Sequence, residues 1–428
     1  MQELSKINNN ISIKNSIVVG IPGTGYQSVL IKNINTGNSN IGTTLGVSSS
    51  SGSSYTPPTT WQNVAWVDQI RGNDSTALLG RPDIPYRTIS GASSSALTAG
   101  GNWLVHIRAG TYTDTGLLPG NATTNIAYHY DPGTRHVVTG NNHVFNWNGD
   151  YSNRQLYITG RCRFSSSGVA TTGVLIESDY NTTIMDQFHI ECDDMLNANG
   201  RGVSLFRLRG TLNSNGSTLY SHNSIDDGSG LPFQFRIDSK FIYINARFIR
   251  GIDSDGTAAI NINCGYLERA RLGYPVGFSP AAMTIHADYR VKATSDSAIK
   301  MRSGNLIITA PKLEITDGLG SILLIPSDAN IANGCNVLIN GGFMRSWSGG
   351  AGTDPLIKFQ ATGDSIRVRL NNVTMITEHT GTNPIDTIGP QTIEAYGSLL
   401  SNRAIGTGIT VRGVTPIINS GFWSGIGI

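Results

Sequence analysis

The run Ile260-Asn-Ile-Asn-Cys264 recurs as Met283-Thr-Ile-His-Ala287 and Leu306-Ile-Ile-Thr-Ala310, with apolar residues at the first and third positions. The same apolar pair opens Val337-Leu-Ile-Asn-Gly341 and Val368-Arg-Leu-Asn-Asn372. The central residues of these runs lie 23, 23, 31 and 31 positions apart: Ile262, Ile285, Ile308, Ile339 and Leu370. A period of about 20 to 30 residues with two or three short strands is typical of a solenoid. The repeat therefore predicts an all-β protein built as a parallel β-helix, in which the longer spacing is one coil with an inserted loop.

Stacking gives such a repeat its stability. Coils about 4.8 Å apart pair their backbone groups and bury a continuous apolar column that no single coil can bury alone. Glycine and asparagine are expected at the corners, where the chain samples left-handed backbone angles. A Greek-key sandwich is the structural alternative, and it favours Asn-Gly hairpins flanked by alternating strands. Asn-Gly pairs such as those at 148–149, 199–200, 215–216 and 333–334 mostly stand in longer polar loops.

The four cysteines test this pattern. Cys162, Cys192, Cys264 and Cys335 share the period-2 alternation of the apolar residues in their strands, which places them on the inner side. They lie far apart with no Cys-x-x-Cys pair, so zinc and thioredoxin-like sites have no support. We expect buried core thiols that act as small hydrophobic residues.

Composition excludes several function classes. The 428 residues carry 31 Lys+Arg against 29 Asp+Glu, a formal net charge of +2. This balance disfavours nucleic acid, which needs a basic surface. Charged residues are only 14% of the chain and glycines number 51, which disfavours a helical protein. No run approaches the ~18 apolar residues of a membrane span, and residues 1–15 lack the apolar region of a secretion signal.

Three zones differ in composition. Residues 1–46 mix short apolar runs with asparagine and glycine, and they are expected to be an N-terminal attachment segment. Residues 47–60 form a Ser-rich and Pro-containing linker. Residues 61–428 are expected to form the β-helix, with an N-terminal motif and cap at 61–102 and coils over 103–428.

The most specific motif begins at Trp66-Val-Asp, continues through Gly72-Asn-Asp-Ser75 and ends in Pro82-Asp-Ile-Pro-Tyr-Arg-Thr-Ile89. It predicts a strand, a tight turn and a Pro-punctuated loop. The Ser/Ala-rich segment Ile89–Ala99 is weakly helical in composition and would cap the first coil, because an open solenoid end invites association. Leu104–Ile107, within Trp103-Leu-Val-His-Ile-Arg-Ala-Gly-Thr-Tyr112, would be the first coil strand.

This motif resembles the start of pectin-lyase-like right-handed parallel β-helix domains. Its Gly80-Arg-Pro82 variant is similar to versions in tail spikes, fibres and other virion appendages of bacteriophages and large DNA viruses. The motif covers about residues 64–113, and the repeat extends the likeness to about residue 420. The resemblance implies a right-handed coil and a virion context, and it says little about activity.

This fold hosts polysaccharide lyases and glycosidases, so an enzyme is the more specific hypothesis. The fold alone does not decide between an enzyme and a structural protein. The Trp-x-Asp-His signature of pectate lyases is missing, and of the polygalacturonase motifs only the Asp-Asp pair occurs, at Asp193-Asp194. Glycoside hydrolysis needs two carboxylates about 5 to 9.5 Å apart. Other acidic pairs are Asp226/Asp227, Glu177/Asp179 and Asp253/Asp255, the last resembling the start of a calcium loop without its closing Glu. We read these as polar loops and assign no catalytic, cofactor or metal residue.

The remaining candidates also have ordinary structural interpretations. His189 and His286 are expected to be solvated or at coil corners, and Gly20-Ile-Pro-Gly23 lacks the following Lys-Ser/Thr of a phosphate loop. Exposed aromatics that would stack on sugar rings are expected among four side chains: Tyr128, Tyr130, Trp147 and Trp347.

The expected function is a structural virion appendage, a head or tail fibre or spike. It would dock to other virion proteins through residues 1–46, form a homotrimer and contact a host-surface glycan through its polar coil face. It would bind no cofactor or nucleic acid and insert in no membrane. A polysaccharide depolymerase on the same fold and a bacterial surface adhesin are the alternatives.

Overall fold

A computed structural model describes most of the chain from residue 63 onward. The described residues are 63–139, 143–146, 150–167, 176–178, 184–197, 206–212, 216–226, 233–238, 241–255, 259–272, 282–293, 297–315, 320–327, 329, 334–346, 355–361, 366–377, 385–386, 392–396, 399–402, 417–418 and 422–424. The predicted attachment segment 1–46 and linker 47–60 lie outside these residues.

The described strands stack into three faces of a parallel β-helix. Seven long strands run along face 1, bend, and continue along face 2: Thr124–Thr139, Asp150–Ser167, Ile184–Asn197, Ser217–Asp226, Phe241–Arg250, Ala259–Leu267 and Ala282–Ala293. Face 1 is completed by Asn63–Val67, Gly101–Ile107, Gly304–Thr309, Cys335–Asn340, Ile366–Asn371, Thr392–Tyr396 and Ile417–Ile418. Face 2 is completed by Thr111–Tyr112, Lys312–Ile315, Phe343–Ser346, Thr374–Thr377, Leu399–Asn402 and Phe422–Ser424.

Face 3 consists of shorter strands: Phe145–Asn146, Ile176–Ser178, Phe206–Leu212, Phe233–Asp238, Ile252–Asp255, Ala270–Leu272, Ile299–Met301, Leu323–Ile325, Ile357–Phe359 and Ile385–Asp386. Pairing between successive coils is parallel, and the short strand Gly120–Asn121 adds a local antiparallel pair with Thr124–Asn125. This pairing excludes the Greek-key sandwich, whose sheets are antiparallel.

The predicted apolar column is confirmed. Ile262, Ile285, Ile308, Ile339 and Leu370 are successive register partners on face 1. The column continues toward the N-terminus through buried residues: Ala65, Val105, Tyr128, Ile158, Ile190, Leu219 and Ile244. Each buried Ile or Leu contributes about 1.5–3 kcal/mol of transfer free energy, so this column is a main source of coil cohesion.

The corners use the residues that the sequence predicts. Between faces 1 and 2, Gly341 has φ 67° and Asn372 has φ 53°. The N–H of Gly341 donates to the carbonyl of Asn371 in the next coil, so these two left-handed positions lie close together in successive coils. Glycine and asparagine tolerate this region better than other residues, which explains their abundance.

The N-terminal motif folds as a strand, a turn and a capping helix. The Asp74 carboxylate accepts hydrogen bonds from the Arg87 and Thr88 amides and from the Thr88 hydroxyl, at 2.7–3.1 Å. Thr88 is in turn the N-cap of the predicted helix, which spans Ile89–Ala99 and packs on the first strands of face 1. A Cβ on Gly72 would lie 2.1 Å from the Tyr86 carbonyl oxygen, so this turn requires glycine. The motif therefore covers the N-terminal end of the described part of the stack.

The four thiols are all free and buried, as predicted. Burial raises the pKa of each of them, to about 12 at Cys264 and Cys335. They therefore behave as apolar core residues. Within the part of the chain that the structure describes, the helix present falls short of the length and apolar character that a membrane crossing needs.

Candidate functional site

The acidic pair Asp193-Asp194 is engaged by arginines of the preceding coil. Arg161 Nε donates to Asp193 in a close ion pair, and Arg163 Nε lies 3.1 Å from Asp194 Oδ2. Asp194 is almost fully buried, and its neighbour Glu191 lies 2.9 Å from His222 Nε2. Each of these carboxylates therefore has a basic partner from an adjacent coil.

The other predicted acidic candidates are distributed over different faces. Asp226 is on face 2, where Arg250 lies 3.6 Å from it and 2.7 Å from Glu268. Glu177, Asp253 and Asp255 are on face 3 strands, while Asp179 and Asp227 lie outside the described residues. Glu177 and Asp193 therefore belong to different strands, on different faces of the coil.

The expectation that Tyr128 and Tyr130 are exposed is wrong. Both are fully buried, since they share the inward alternation of Ile126. Their hydroxyls are satisfied inside: Tyr128 donates to the Leu118 carbonyl at 2.7 Å, and the Tyr130 hydroxyl lies 3.1 Å from His136 Nδ1. The period-2 alternation that placed the cysteines inside also predicts the burial of these two tyrosines. The other two aromatic candidates, Trp147 and Trp347, lie outside the described residues.

His136 is a neutral histidine inside the solenoid. Its Nε2 lies 2.8 Å from the Asp114 carbonyl oxygen, which can only accept, so Nε2 carries the proton and Nδ1 accepts from Tyr130. Burial lowers the pKa of His136 to about 4, against a weaker opposing effect of the Asp114 carbonyl.

Acid is therefore expected to destabilise the fold through this residue. A histidine with a depressed folded-state pKa contributes stability above pH 6.5, and that contribution is lost as the pH falls toward 4. The loss attributable to His136 is on the order of 3 kcal/mol. It is measured as the free energy of urea unfolding between pH 7 and pH 4.5, in the wild type and in His136→Gln. Burial also lowers the pKa of His129 and His189, so the variant should reduce the slope without abolishing it. An unchanged slope would contradict the assignment.

His189 and His286 lie outward on face 1. His189 is half-buried, stacks on Tyr157 with ring centroids 5.0 Å apart and bonds the Thr218 hydroxyl through Nδ1. His286 is exposed, and its Nε2 lies 3.3 Å from Asp288. The exposed position of His286 matches the prediction of a solvated histidine, whereas His189 is partly covered by Tyr157.

An aromatic surface that the sequence did not indicate lies where faces 1 and 2 meet. Tyr266 and Tyr289 are 39% and 60% exposed, and their rings stack at 5.1 Å with an interplanar angle of 20°. Arg290, the register partner of Tyr266, places its guanidinium 5.3 Å from the centre of that ring and pairs with Glu314 at 3.3 Å. We call Tyr266, Tyr289 and Arg290 the aromatic shelf.

The shelf has a structural cause. Tyr289 lies over Gly265, where a Cβ would come within 3.2 Å of its ring, so the missing side chain leaves room for the stack. Exposed aromatic faces beside charged and amide groups are suited to the apolar faces and hydroxyls of sugars. Asparagine amides extend this polar surface along face 1, with Asn336 donating to Asn305 at 3.1 Å and Asn371 to Asn340 at 3.0 Å.

A group that could hold a metal ion lies near the capped end of face 1. Among the described residues, His106, His129 and Asp131 place one ligand atom each within 4.8 Å of the others. No sequence motif links these three residues, and the sequence predicted no metal ligand.

Comparison with known proteins found no protein similar to this chain. No protein-family model matches it. Searches of curated proteins and of solved structures also gave no match.

Proposed function

We propose that the chain is a structural virion appendage, a head or tail fibre or spike, whose coil surface contacts a host-surface glycan. The observation that carries the glycan contact is the aromatic shelf, which offers two stacked tyrosine rings and an arginine to solvent. The likeness of the N-terminal motif to those of phage and virus β-helices supports the virion context. Residues 1–46 would attach the chain to other virion proteins, and three copies would associate as a homotrimer.

The shelf suits a neutral or acidic polysaccharide. The stacked rings supply apolar faces and Arg290 supplies fixed N–H donors, while asparagine pairs on face 1 of the following coils supply amides. Such contacts work by hydrogen bonding and stacking, in keeping with a chain of only 14% charged residues.

Binding of the full-length chain to an array of bacterial capsular polysaccharides and exopolysaccharides tests the proposal. We expect at least one to bind, and the double variant Tyr266→Ala/Tyr289→Ala to weaken binding at least tenfold, or about 1.4 kcal/mol. Ile70→Ala is the control, because it removes an 88% exposed apolar side chain from the N-terminal motif. Absence of any binding, or equal affinity of the shelf variant, would contradict the proposal.

The same samples separate a binding appendage from a depolymerase. Each bound polysaccharide is assayed for released reducing ends and for absorbance of unsaturated products, and we expect neither. Cleavage that disappears in Asp193→Asn or Glu177→Gln would show that the chain is a depolymerase and would replace the structural proposal.

Attachment and oligomeric state are tested separately. A chain that lacks residues 1–55 should bind the glycan normally and fail to incorporate into particles. Light scattering of the full-length chain should give the mass of a trimer.

A further inference from the structure

We propose that His106, His129 and Asp131 form a binding site for a divalent metal ion of the zinc class. The site lies on the outer surface of face 1, beside the capping helix end of the solenoid. It is separate from the aromatic shelf and does not depend on the proposed glycan contact.

The backbone brings the three residues together. His106 and His129 are direct register partners in the parallel strands Gly101–Ile107 and Thr124–Thr139. Their neighbours on both sides, such as Val105 and Tyr128, point inward, so both imidazoles project from the outer surface. Parallel pairing keeps these histidines next to each other whatever their side-chain rotamers.

Asp131 enters the same site through an irregularity in the chain. The register with the next coil shifts between Tyr130 and Thr134, where the chain turns from face 1 toward face 2. The Thr134 hydroxyl, which is buried, donates to the Asp131 carbonyl at 2.6 Å and fixes this turn. As a result, Asp131 Oδ1 lies 2.8 Å from His106 Nε2, although the two are 25 residues apart in the chain.

The distances suit a single ion. The three ligand atoms lie within 4.8 Å of one another. Ligands about 2.0–2.2 Å from a tetrahedral zinc lie roughly 3.3 Å apart. The difference between 4.8 Å and roughly 3.3 Å is about 1.5 Å, so side-chain movements of this size or less would bring the three ligand atoms around one ion.

The surrounding side chains orient the ligands. Trp66 stacks on the His106 ring at 4.4 Å with an interplanar angle of 24°. His129 Nδ1 lies 2.8 Å from the Thr159 hydroxyl, and when Nδ1–H donates there, Nε2 carries the lone pair that a metal needs. Arg108, whose guanidinium lies 5.4 Å from the centre of the Trp66 ring, pairs with Asp68 at 3.1 Å.

The ligand set selects the class of metal. Two imidazoles and one carboxylate favour zinc, copper, nickel or cobalt over magnesium and calcium, which prefer all-oxygen sites. The His106 and Asp131 side chains are 22% and 35% exposed, so a fourth position would be open to water. The ion would join two adjacent coils at the end of the stack.

Titration of the metal-free full-length chain with Zn²⁺, against a chromophoric competitor, tests the site. We expect tight binding of one ion per chain at this site and a rise in melting temperature on zinc addition. His129→Gln and Asp131→Asn should each lose at least tenfold in affinity. His189→Ala is the matched control, because His189 bonds Thr218 as His129 bonds Thr159 but is not part of the group.

A spectroscopic readout keeps the test decisive if a variant folds poorly. Co²⁺ added to the wild type should give the intense visible absorption of a four- or five-coordinate site with nitrogen and oxygen ligands, and Zn²⁺ should displace it. Affinity unchanged in both variants, a six-coordinate cobalt spectrum, or equal binding of Mg²⁺ would overturn the proposal. In that case the His106–Asp131 contact is an ordinary hydrogen bond.

Discussion

Ile285→Asp is expected to unfold much of the coil stack. Ile285 is fully buried between its register partners Ile262 and Ile308 on face 1. Loss of the side chain alone, as in Ile285→Ala, should cost about 2–5 kcal/mol. A buried carboxylate without a partner adds a further desolvation cost, so the aspartate variant should lose more than the alanine variant.

Urea unfolding followed by circular dichroism measures this loss. Asn263→Asp is the matched control, because Asn263 is an exposed neighbour on the outer side of the same face and already lies opposite His286. We expect the control to change stability by less than about 0.5 kcal/mol. Equal stability of Ile285→Asp and the control would show that the column is not the core.

Gly342→Ala is expected to destabilise the corner between faces 1 and 2 far more than Gly341→Ala. A Cβ on Gly342 would lie 2.1 Å from the Ala310 carbonyl oxygen of the preceding coil, and its φ is 98°. The clash involves backbone atoms, so relief requires the coils to separate locally. Together with the backbone strain this should cost roughly 3 kcal/mol or more.

The adjacent residue isolates the contribution of the clash. Gly341 has φ 67°, and a Cβ there would meet nothing within 4 Å. Its replacement by alanine should cost only the left-handed backbone penalty, about 1–2 kcal/mol. Melting temperatures of the two variants, measured side by side, give the comparison, and equal losses would mean that the coils do not approach as closely as described.

Much of the fold was predictable from short-range features. The alternation around Ile262 and Cys264, and the equal 23-residue steps to Ile285 and Ile308, predicted the inward column. The helix Ile89–Ala99 was predictable from its Ser/Ala composition and from the turn before it. Strand alternation and turn chemistry depend on neighbouring residues only. The column was also visible because the coils from Ile262 to Ile308 have equal length.

The surface sites were not predictable in the same way. Tyr266 and Tyr289 are 23 residues apart, the same step that separates Ile262 from Ile285, so the repeat could have placed these rings together. Arg161 and Asp193 are 32 residues apart and follow no such step. Which outward side chains meet depends on the length of the loop between two strands, and loop length varies from coil to coil. A shift of one residue in register would replace every outward contact with a different one.

The sequence by itself therefore determined the repeating architecture, the buried thiols and the capping helix, since apolar alternation and turn residues specify them locally. Only the tertiary structure decided that Asp193 and Asp194 are paired with arginines and that His106, His129 and Asp131 meet. The physical reason is that parallel stacking brings together residues one full coil apart. The identity of those neighbours depends on coil lengths and on the register that packing of the common core selects.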